Sequence, residues 1–599
     1  MCGIAGVIDG IPKRATLRVS RLNDAQKHRG PDHSVVTTIG AFTLGNMRLA
    51  IQDPSPAGNQ PFVSADGRYH CVFNGEIYNY RHLVKRYQLP VRTACDGEVI
   101  PALWAKLGVD SLAELRGMFA MAVVDSLEDR LYLARDSFGI KPLYWRALAD
   151  GSLAFASEVR PLVDIAPAMR INGEAVRRYL QLGAMAPDQS PFLEISSLPP
   201  NSVATFDRDR RMTLRPILPD GPLVATESPA DLGSALSDSV DLHLGADVPT
   251  ALLLSSGVDS ATIAAVARRL SRSLDCLTIA TSDTTDESAK AAETAHHYGH
   301  SHRRIGATLD VGDVARFFRA MQRPSIDGLN TYLVSKAVHE AGFKVALSGL
   351  GGDEAVGGYS HFRMLNYLPA LRGLRELPAP LARAAARTLA KRGVASEVKA
   401  TRLLSKQGPC DGRQLSLLQR EVFPESLAAA LTGTSHPTMT GRSDQESMTF
   451  PERFNAMVAA EVAIYLQAML IPDADSFSMA SSVELRVPFV DRHVFQASLR
   501  LAADRNKRPG KAAIGTSLDD RYLKELAAKP KRGFTVPMRQ WMSGPLASVL
   551  NRADSPDAPI WSILDRGVAE RAGLIPLHNR DRWAEPWALS ALNAWLETI

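Results

Sequence analysis

The spacing of apolar and polar positions divides the chain into two regimes. Up to about Asp207 the apolar residues come in short runs bounded by turn residues. Gly3 to Ile8 ends at Asp9-Gly10, Tyr69 to Phe73 ends at Asn74-Gly75, and Met118 to Asp125 and Arg130 to Arg135 follow one another as neighbouring strands. Helical spacing falls between them, over Arg14 to Lys27 and Gly97 to Leu107. The mixture predicts an α+β unit of sheets covered by helices. Further on, Thr250 to Leu254, Leu277 to Ala280 and Lys344 to Leu347 are short and largely apolar, as in strands buried on both faces, with helix-like segments between them. Strands alternating with helices predict an α/β unit with a parallel sheet, which binds its ligands at the carboxyl ends of the strands. Residues 361–450, rich in Ala, Leu and Arg, read as surface-packed helices, and Trp583 to Ile599 as an amphipathic helix.

Between the two regimes lies a proline-rich, aperiodic passage with Leu198-Pro199-Pro200-Asn201, Pro219-Asp220-Gly221-Pro222 and Ser228-Pro229. The expected organisation is a first domain over 2–207, a linker over 208–231 and a second domain over 232–599. A chain of 599 residues is too long for one core, which agrees with that division. Its apolar fraction of 45% and charged fraction of 22% are those of a folded globular protein. The net charge of +5 forms no basic stripe with interleaved aromatics, so no nucleic-acid partner is expected. No apolar run reaches membrane-spanning length, and no basic segment followed by an apolar one opens the chain, so neither a membrane nor secretion is expected. Cys2, Cys71, Cys95, Cys276 and Cys410 are widely spaced with no C-x-x-C pair, which fits neither a disulfide framework nor a zinc site. The expected location is the reducing cytoplasm, where Cys2 stays a usable thiol.

Cys2 stands out because removal of Met1 leaves a thiol and an α-amine on the same residue. Such an amine titrates at about 7.7–8.0, close enough to neutrality to take the thiol proton and return it to a leaving amine. Candidate partners are polar groups that interrupt apolar stretches: His28 to Asp32, Arg48, Asn74-Gly75-Glu76, and Asp96 before Gly97-Glu98. Hydrolysing a primary amide through a thioester needs an oxyanion hole, which the Asn74 side-chain amide and the Gly75 N–H can supply together. An amino-acid substrate needs an arginine for its carboxylate and an acid for its ammonium, roles open to Arg48 and Asp96. Each residue also has a plainer reading: Asn-Gly as a turn, Asp96 as a helix cap, Arg48 as a surface side chain.

In the second unit, Ser255-Ser256-Gly257-Val258-Asp259-Ser260 joins a strand to a helix. Ser255, Gly257 and Ser260 can line a loop at a helix N-terminus, where N–H groups and the dipole suit a phosphate. The loop lacks the lysine of GxxxxGK[ST]. Asp259 and the Asp353-Glu354 pair put carboxylates at two strand ends, a placement that suits Mg²⁺ bridging to pyrophosphate.

Five ordered stretches, Met1-Cys2-Gly3-Ile4, Arg29-Gly30-Pro31-Asp32, Arg48 to Asp53, Phe73 to Asn79 and Leu133 to Trp145, resemble the glutaminase domain of class II glutamine amidotransferases. These are N-terminal-nucleophile enzymes built as αββα sandwiches. The resemblance implies Cys2 as nucleophile, Asn74 and Gly75 as oxyanion hole, and Arg48, Asn74, Glu76 and Asp96 as glutamine contacts. Asn46 stands where many relatives have His. The 255–260 loop, with Asp286-Glu287-Ser288, Leu347 to Glu354, Gly357-Gly358-Tyr359, Met479 to Phe489 and Lys531-Arg532-Gly533-Phe534, resembles the ATP-pyrophosphatase domain of glutamine-hydrolysing asparagine synthetases.

That second resemblance implies ATP and Mg²⁺. Leu254, Ser255, Gly257, Asp259, Ser260, Ile279, Ser348 and Gly349 would surround ATP, Asp259 and Asp353 would hold the metal, and Lys531 would steady the charge of an acyl-adenylate. Ammonia freed at Cys2 would travel through an internal tunnel and displace AMP. Three departures bear on the acceptor. Ser256 replaces the second glycine of SGGxDS, Leu350 stands where many relatives carry an acid, and Ser325 to Tyr332 holds no arginine for an aspartate α-carboxylate. The expected reaction is aspartate to asparagine. The alternatives are the same chemistry on another small-molecule carboxylate, and a catalytically retired assembly or regulatory subunit. A homodimer is left open as the assembly.

Overall fold

The computed structural model describes residues 2–599 except 167, 225–230, 281–286, 307, 392–396, 405–410, 435–448, 504–508, 530–536 and 578–582. Two six-stranded sheets face each other in the N-terminal domain. In the first, Cys2–Ile8 pairs antiparallel with Phe42–Arg48 on one side and Leu153–Ala156 on the other. In the second, Tyr69–Ile77, Gly117–Asp125, Arg130–Arg135, Ser202–Phe206 and Met212–Pro216 lie side by side.

Every residue of Cys2–Ile8 is buried, because this strand is covered on both faces. Successive side chains point to opposite faces of a strand. Ala5 and Val7 accordingly pack under Ala15, Val19 and Leu22 of helix Pro12–Ala25, while Ile4 and Ile8 join Val72, Ala120, Val124 and Leu133 of the second sheet. The same alternation on Tyr69–Ile77 sends Cys71, Phe73 and Ile77 toward Leu103 and Trp104 of helix Val99–Leu107. Helix, sheet, sheet and helix make the αββα sandwich.

Two local expectations change. Asn74-Gly75 is no turn: the strand runs through it to Ile77, with Gly75 opposite Phe119. Strand Met212–Pro216 lies inside the 208–231 stretch that proline content marks as a linker, and it extends the second sheet.

The C-terminal domain holds a five-stranded parallel sheet in the order Ser301–Gly306, Asp275–Ala280, Thr250–Leu253, Val345–Leu347, Glu484–Arg486. Helices cover both faces. The two outer strands escape apolar patterning, since one is largely polar and exposed and the other is three residues long. The C-terminal helix Ala584–Leu596 is buried from Pro586 to Trp595 and so is not amphipathic.

A continuous helix runs over Phe450–Met479, with π-helical hydrogen bonding from Val462 to Leu470. Its length and composition match a membrane span, but 61% of its most apolar window is buried inside the protein. Its polar residues serve that interior. Asp475 accepts from Arg29 Nη2 at 2.8 and 3.1 Å and from Lys141 Nζ at 3.3 Å, and so ties the two domains together. Arg29 and Lys141 are essentially unexposed. Burial pulls Lys141 below the usual lysine value, opposed by the Asp475 carboxylate. Removing one member of a buried charge cluster typically costs about 3–5 kcal/mol. Asp475→Ala, which strands two cations, is expected to lower the thermal midpoint sharply in a calorimetric scan, whereas the exposed-pair variant Glu525→Ala is not.

Candidate active sites

Strand parity builds the first site. Cys2 shares the face of Ile4 and Ile8, and Asn74 shares the face of Val72, so the two side chains meet between the sheets. The Cys2 backbone nitrogen donates to Asn74 Oδ1 at 3.1 Å. With Oδ1 engaged there, Asn74 Nδ2 is left buried without a hydrogen-bond partner. An unsatisfied buried donor beside a nucleophile is what an oxyanion requires. Gly75 supplies the neighbouring N–H. Its φ is +151°, and a Cβ there would lie 1.9 Å from the Met118 carbonyl oxygen, so no other residue fits the position.

Gln60, which sequence patterning did not single out, donates from Nε2 to Cys2 Sγ at 3.5 Å and to the Phe73 carbonyl at 2.9 Å. It accepts from Phe73 N–H at 2.7 Å. Arg29 Nε donates to the Cys2 carbonyl at 3.3 Å. Asn46, opposite Ile4, is fully buried and donates weakly to the Gly3 carbonyl at 3.4 Å.

Arg48 is the cross-strand partner of Cys2. Its guanidinium already holds the following loop, donating to the carbonyls of Gln52 and Ser55 at 3.0 and 2.8 Å, to Asn59 Oδ1 at 2.8 Å and to the Asp53 carbonyl. Both terminal nitrogens are thus committed, and a substrate carboxylate would share them. Asp96 is not a helix cap: its Oδ2 accepts from Ile77 N–H at 2.7 Å, inside the site. Burial pushes the Asp96 carboxyl up to about 6. Burial, reinforced by Asp96, also pushes Glu76 well above the usual carboxylate range. An ammonium arriving between them would favour the ionised forms.

Arg486, wholly buried, lies 2.9 Å from Glu76 and 2.5 Å from Glu484, and donates to the carbonyls of His243 and Gly245. The contact to Glu76 is one of charge, with its N–H not aimed along the hydrogen-bond direction. A synthetase-domain strand thereby touches the glutaminase site. Gln60 lies outside every motif, and Arg486 falls within the Met479 to Phe489 stretch without being marked there as a site residue.

In the second site, Thr250–Leu253 leads through 254–257 into helix Val258–Arg269. The loop is braced by its own serines. Ser255 N–H donates to Ser260 Oγ at 3.1 Å, Gly257 N–H to Ser255 Oγ at 3.2 Å, and Ser256 N–H to Glu287 Oε2 at 3.2 Å. No side chain caps the helix, so its first N–H groups stay open for an anion. Leu254, just past its strand, and Ile279, on the adjacent strand, lie buried. The 348–353 loop presses against Asp259: a Cβ on Gly349 would come 2.8 Å from Asp259 Cβ, and one on Gly352 2.5 Å from Asp259 Oδ1.

Lys511, another residue that sequence patterning missed, lies between the two metal candidates. Its Nζ is 3.0 Å from Asp353 Oδ1 and bonded to Asp259 Oδ1. Burial opposes its charge, but the two carboxylates outweigh burial and hold Lys511 above the usual lysine value. One cation can therefore be shared by Asp259 and Asp353. No cluster of three metal-ligating side chains exists among the described residues. Two carboxylates completed by phosphate oxygens and water are a donor set that suits Mg²⁺. Glu354 is buried, pushed up to about 7 by burial, and accepts a hydrogen bond from the Tyr359 hydroxyl. Lys531, with Asp286, lies outside the described residues.

Leu350 packs into the apolar wall beside Ser348, whose Oγ accepts the Leu350 N–H at 3.3 Å. Of the 325–332 stretch, Ser325 donates to Asp473 Oδ2 at 2.6 Å, and Leu329 and Tyr332 belong to the core. Burial raises Asp327, and the cation facing it is Arg420, which is stacked between the rings of Tyr359 and Tyr465 at 4.4 and 3.5 Å.

Cys2 beside the Asn74 amide and Gly75, and the 255–260 loop beside Asp259 and Asp353, lie in one chain. The family model described as a glutamine amidotransferase domain matches residues 1–215, and the one described as asparagine synthase matches 231–597. The chain belongs to the asparagine synthase family. Among relatives, the glutamine-hydrolysing asparagine synthetase 1 of Bacillus subtilis is 27% identical, covering 90% of this chain and 88% of that one. The putative asparagine synthetase of Mycobacterium tuberculosis strain H37Rv is 30% identical with the same coverages, 90% and 88%. The amidase chyE of Penicillium rubens is 27% identical over 87% of this chain and 85% of its own. This member of the asparagine synthase family is an ATP-dependent, glutamine-hydrolysing amidotransferase of the ligase class.

Two outcomes follow for its glutaminase site. Because burial pushes the Asp96 carboxyl up to about 6, its anion is favoured above that pH and lost below it. KM for glutamine is expected to rise as pH falls through about 6, and Asp96→Asn to show a high KM without that inflection. Asn74→Ala is expected to cost about 10²-fold or more in glutaminase kcat through the lost oxyanion donor, as measured by glutamate release.

Proposed function

We propose that glutamine is hydrolysed at Cys2 and that its ammonia amidates a carboxylate activated as an adenylate at the second site. The observation that carries the first half is the unpaired Asn74 amide nitrogen beside the Cys2 backbone. The Cys2 thiolate attacks the amide carbon, the oxyanion is met by Asn74 Nδ2 and Gly75 N–H, and the α-amine of Cys2 returns the proton to departing ammonia. Water then cleaves the thioester. Arg48 and the Glu76–Asp96 acid pair orient the substrate's carboxylate and ammonium.

In the second half the 255–260 loop and the open helix N-terminus receive the pyrophosphate, with Ser348 and Gly349 close to the nucleotide. Mg²⁺, when bound by Asp259 and Asp353, would neutralise phosphate charge. Lys511, released from those carboxylates, would reach phosphate oxygens, and Lys531 is assigned to the adenylate. Among the described residues Cys2, Cys71, Cys95 and Cys276 are buried and unbridged, which fits a reducing cytoplasm, where we place the enzyme.

The names of the relatives support aspartate as acceptor, while one relative named an amidase favours breadth. Leu350 in the wall and a 325–332 segment free of arginine favour a carboxylate other than aspartate, and that is the reading adopted. Cys2→Ala is expected to abolish glutamine-dependent amide formation while ammonium-supported AMP release continues. Lys511→Met is expected to reduce ATP-to-AMP turnover by about 10²-fold with either nitrogen source, leaving glutamine hydrolysis in place. Persistence of glutamine-dependent turnover in Cys2→Ala would overturn the assignment.

A further inference from the structure

Strand register places Gln60. Phe62 and Val63 pair with Cys71 and His70, so Gln60, two residues before Phe62, falls opposite Phe73. Backbone pairing stops at Phe62, and the Gln60 side chain takes it over. Its Oε1 accepts from the Phe73 N–H at 2.7 Å and its Nε2 donates to the Phe73 carbonyl at 2.9 Å.

Those two bonds also fix which end of the amide is which. With the ends exchanged, an N–H would face an N–H and an oxygen would face an oxygen. A primary amide nitrogen carries two hydrogens, and Phe73 takes one of them. The other is directed at Cys2 Sγ, 3.5 Å from Nε2. Gln60 and Cys2 are both 5% exposed, so little water competes for that place. A neutral thiol accepts a hydrogen bond weakly, whereas a sulfur anion makes a charge-assisted one. The bond is therefore strongest when charge sits on sulfur.

Resting on the glutaminase reading above, we propose that Gln60 is a catalytic residue, whose second Nε2 hydrogen holds Cys2 Sγ and meets its negative charge in both halves of glutamine hydrolysis. In the first half the sulfur anion attacks the amide carbon. In the second, water adds to the thioester carbon and gives one proton to the Cys2 α-amine. The C–S bond then breaks with its electron pair left on sulfur, facing the same N–H. Asn74 Nδ2 and Gly75 N–H serve the carbonyl oxygen, so each atom that bears charge has its own donor.

The test uses the full-length protein carrying Gln60→Met or Gln60→Leu, two neutral side chains of similar volume that remove the donor. Calorimetry checks that each variant unfolds cooperatively, and either one that does so decides. Two rates are read: glutamate release, and alkylation by iodoacetamide followed at Cys2 by peptide mass. Alkylation needs the sulfur anion and no oxyanion donor. A role confined to tethering Phe73, and with it Asn74, leaves the alkylation rate alone. The expected result is a loss of about tenfold in alkylation and at least as much in glutaminase kcat, as one charge-assisted hydrogen bond gives, with KM for glutamine in place. Alkylation at the wild-type rate, or an undiminished kcat, overturns the inference and leaves Cys2 as the nucleophile. Wild-type protein that still hydrolyses glutamine once Cys2 is alkylated overturns the glutaminase reading itself.

Discussion

The structure depends on charge buried where the two domains meet. Arg486 lies wholly inside between Glu76 of the glutaminase domain and Glu484 of its own strand, and Asp475 lies between Arg29 and Lys141. Such clusters are weak contributors to stability when complete and costly when broken. Their effect is to fix register: a guanidinium that must meet two carboxylates and two carbonyls allows little sliding of one domain on the other. Because Arg29 also donates to the Cys2 carbonyl, and Glu76 follows Asn74 and Gly75 directly, the interface that joins the domains also sets the nucleophile's surroundings.

Both sites share a physical strategy, in which a donor or charge is held ready at a cost met elsewhere. At Cys2 the cost is an unpaired amide on Asn74 and two protonatable acids pushed up by burial. At the phosphate loop it is an uncapped helix, and two carboxylates that lean on Lys511. The loop keeps its shape through the Ser255–Ser260 hydroxyl bonds and through glycines at 349 and 352 that let the second loop press on Asp259. Ser256, in place of a glycine, is accommodated with its N–H bonded to Glu287.

How much of this was legible beforehand depends on the range of the interactions. The parity of short apolar runs, 4 and 8 against 5 and 7, is written in the chain, and it alone turns Cys2 and Asn74 toward the gap between the sheets. The small-residue loop after a buried strand likewise announces a phosphate site, because a strand, a turn and a helix dipole are all local. Asn74-Gly75 read as a turn because that pair usually is one. Only pairing with Gly117–Asp125 keeps the strand extended there. Polar strands such as Ser301–Gly306 have no apolar signature, and the C-terminal helix reads as amphipathic until neighbours cover it on all sides.

The sequence by itself singled out Cys2, Asn74 and Gly75, the 255–260 loop, and Asp259 with Asp353, since each lies within a few residues of an element that positions it. Tertiary structure alone decided that Arg48 is occupied by its own loop, that Asp96 faces inward and not along a helix, and that Gln60, Lys511 and Arg486 belong to the sites. These are contacts between segments up to several hundred residues apart. Nothing in the spacing of a lone Gln, Lys or Arg distinguishes a side chain that will be buried against a distant carboxylate from one that will stay in water.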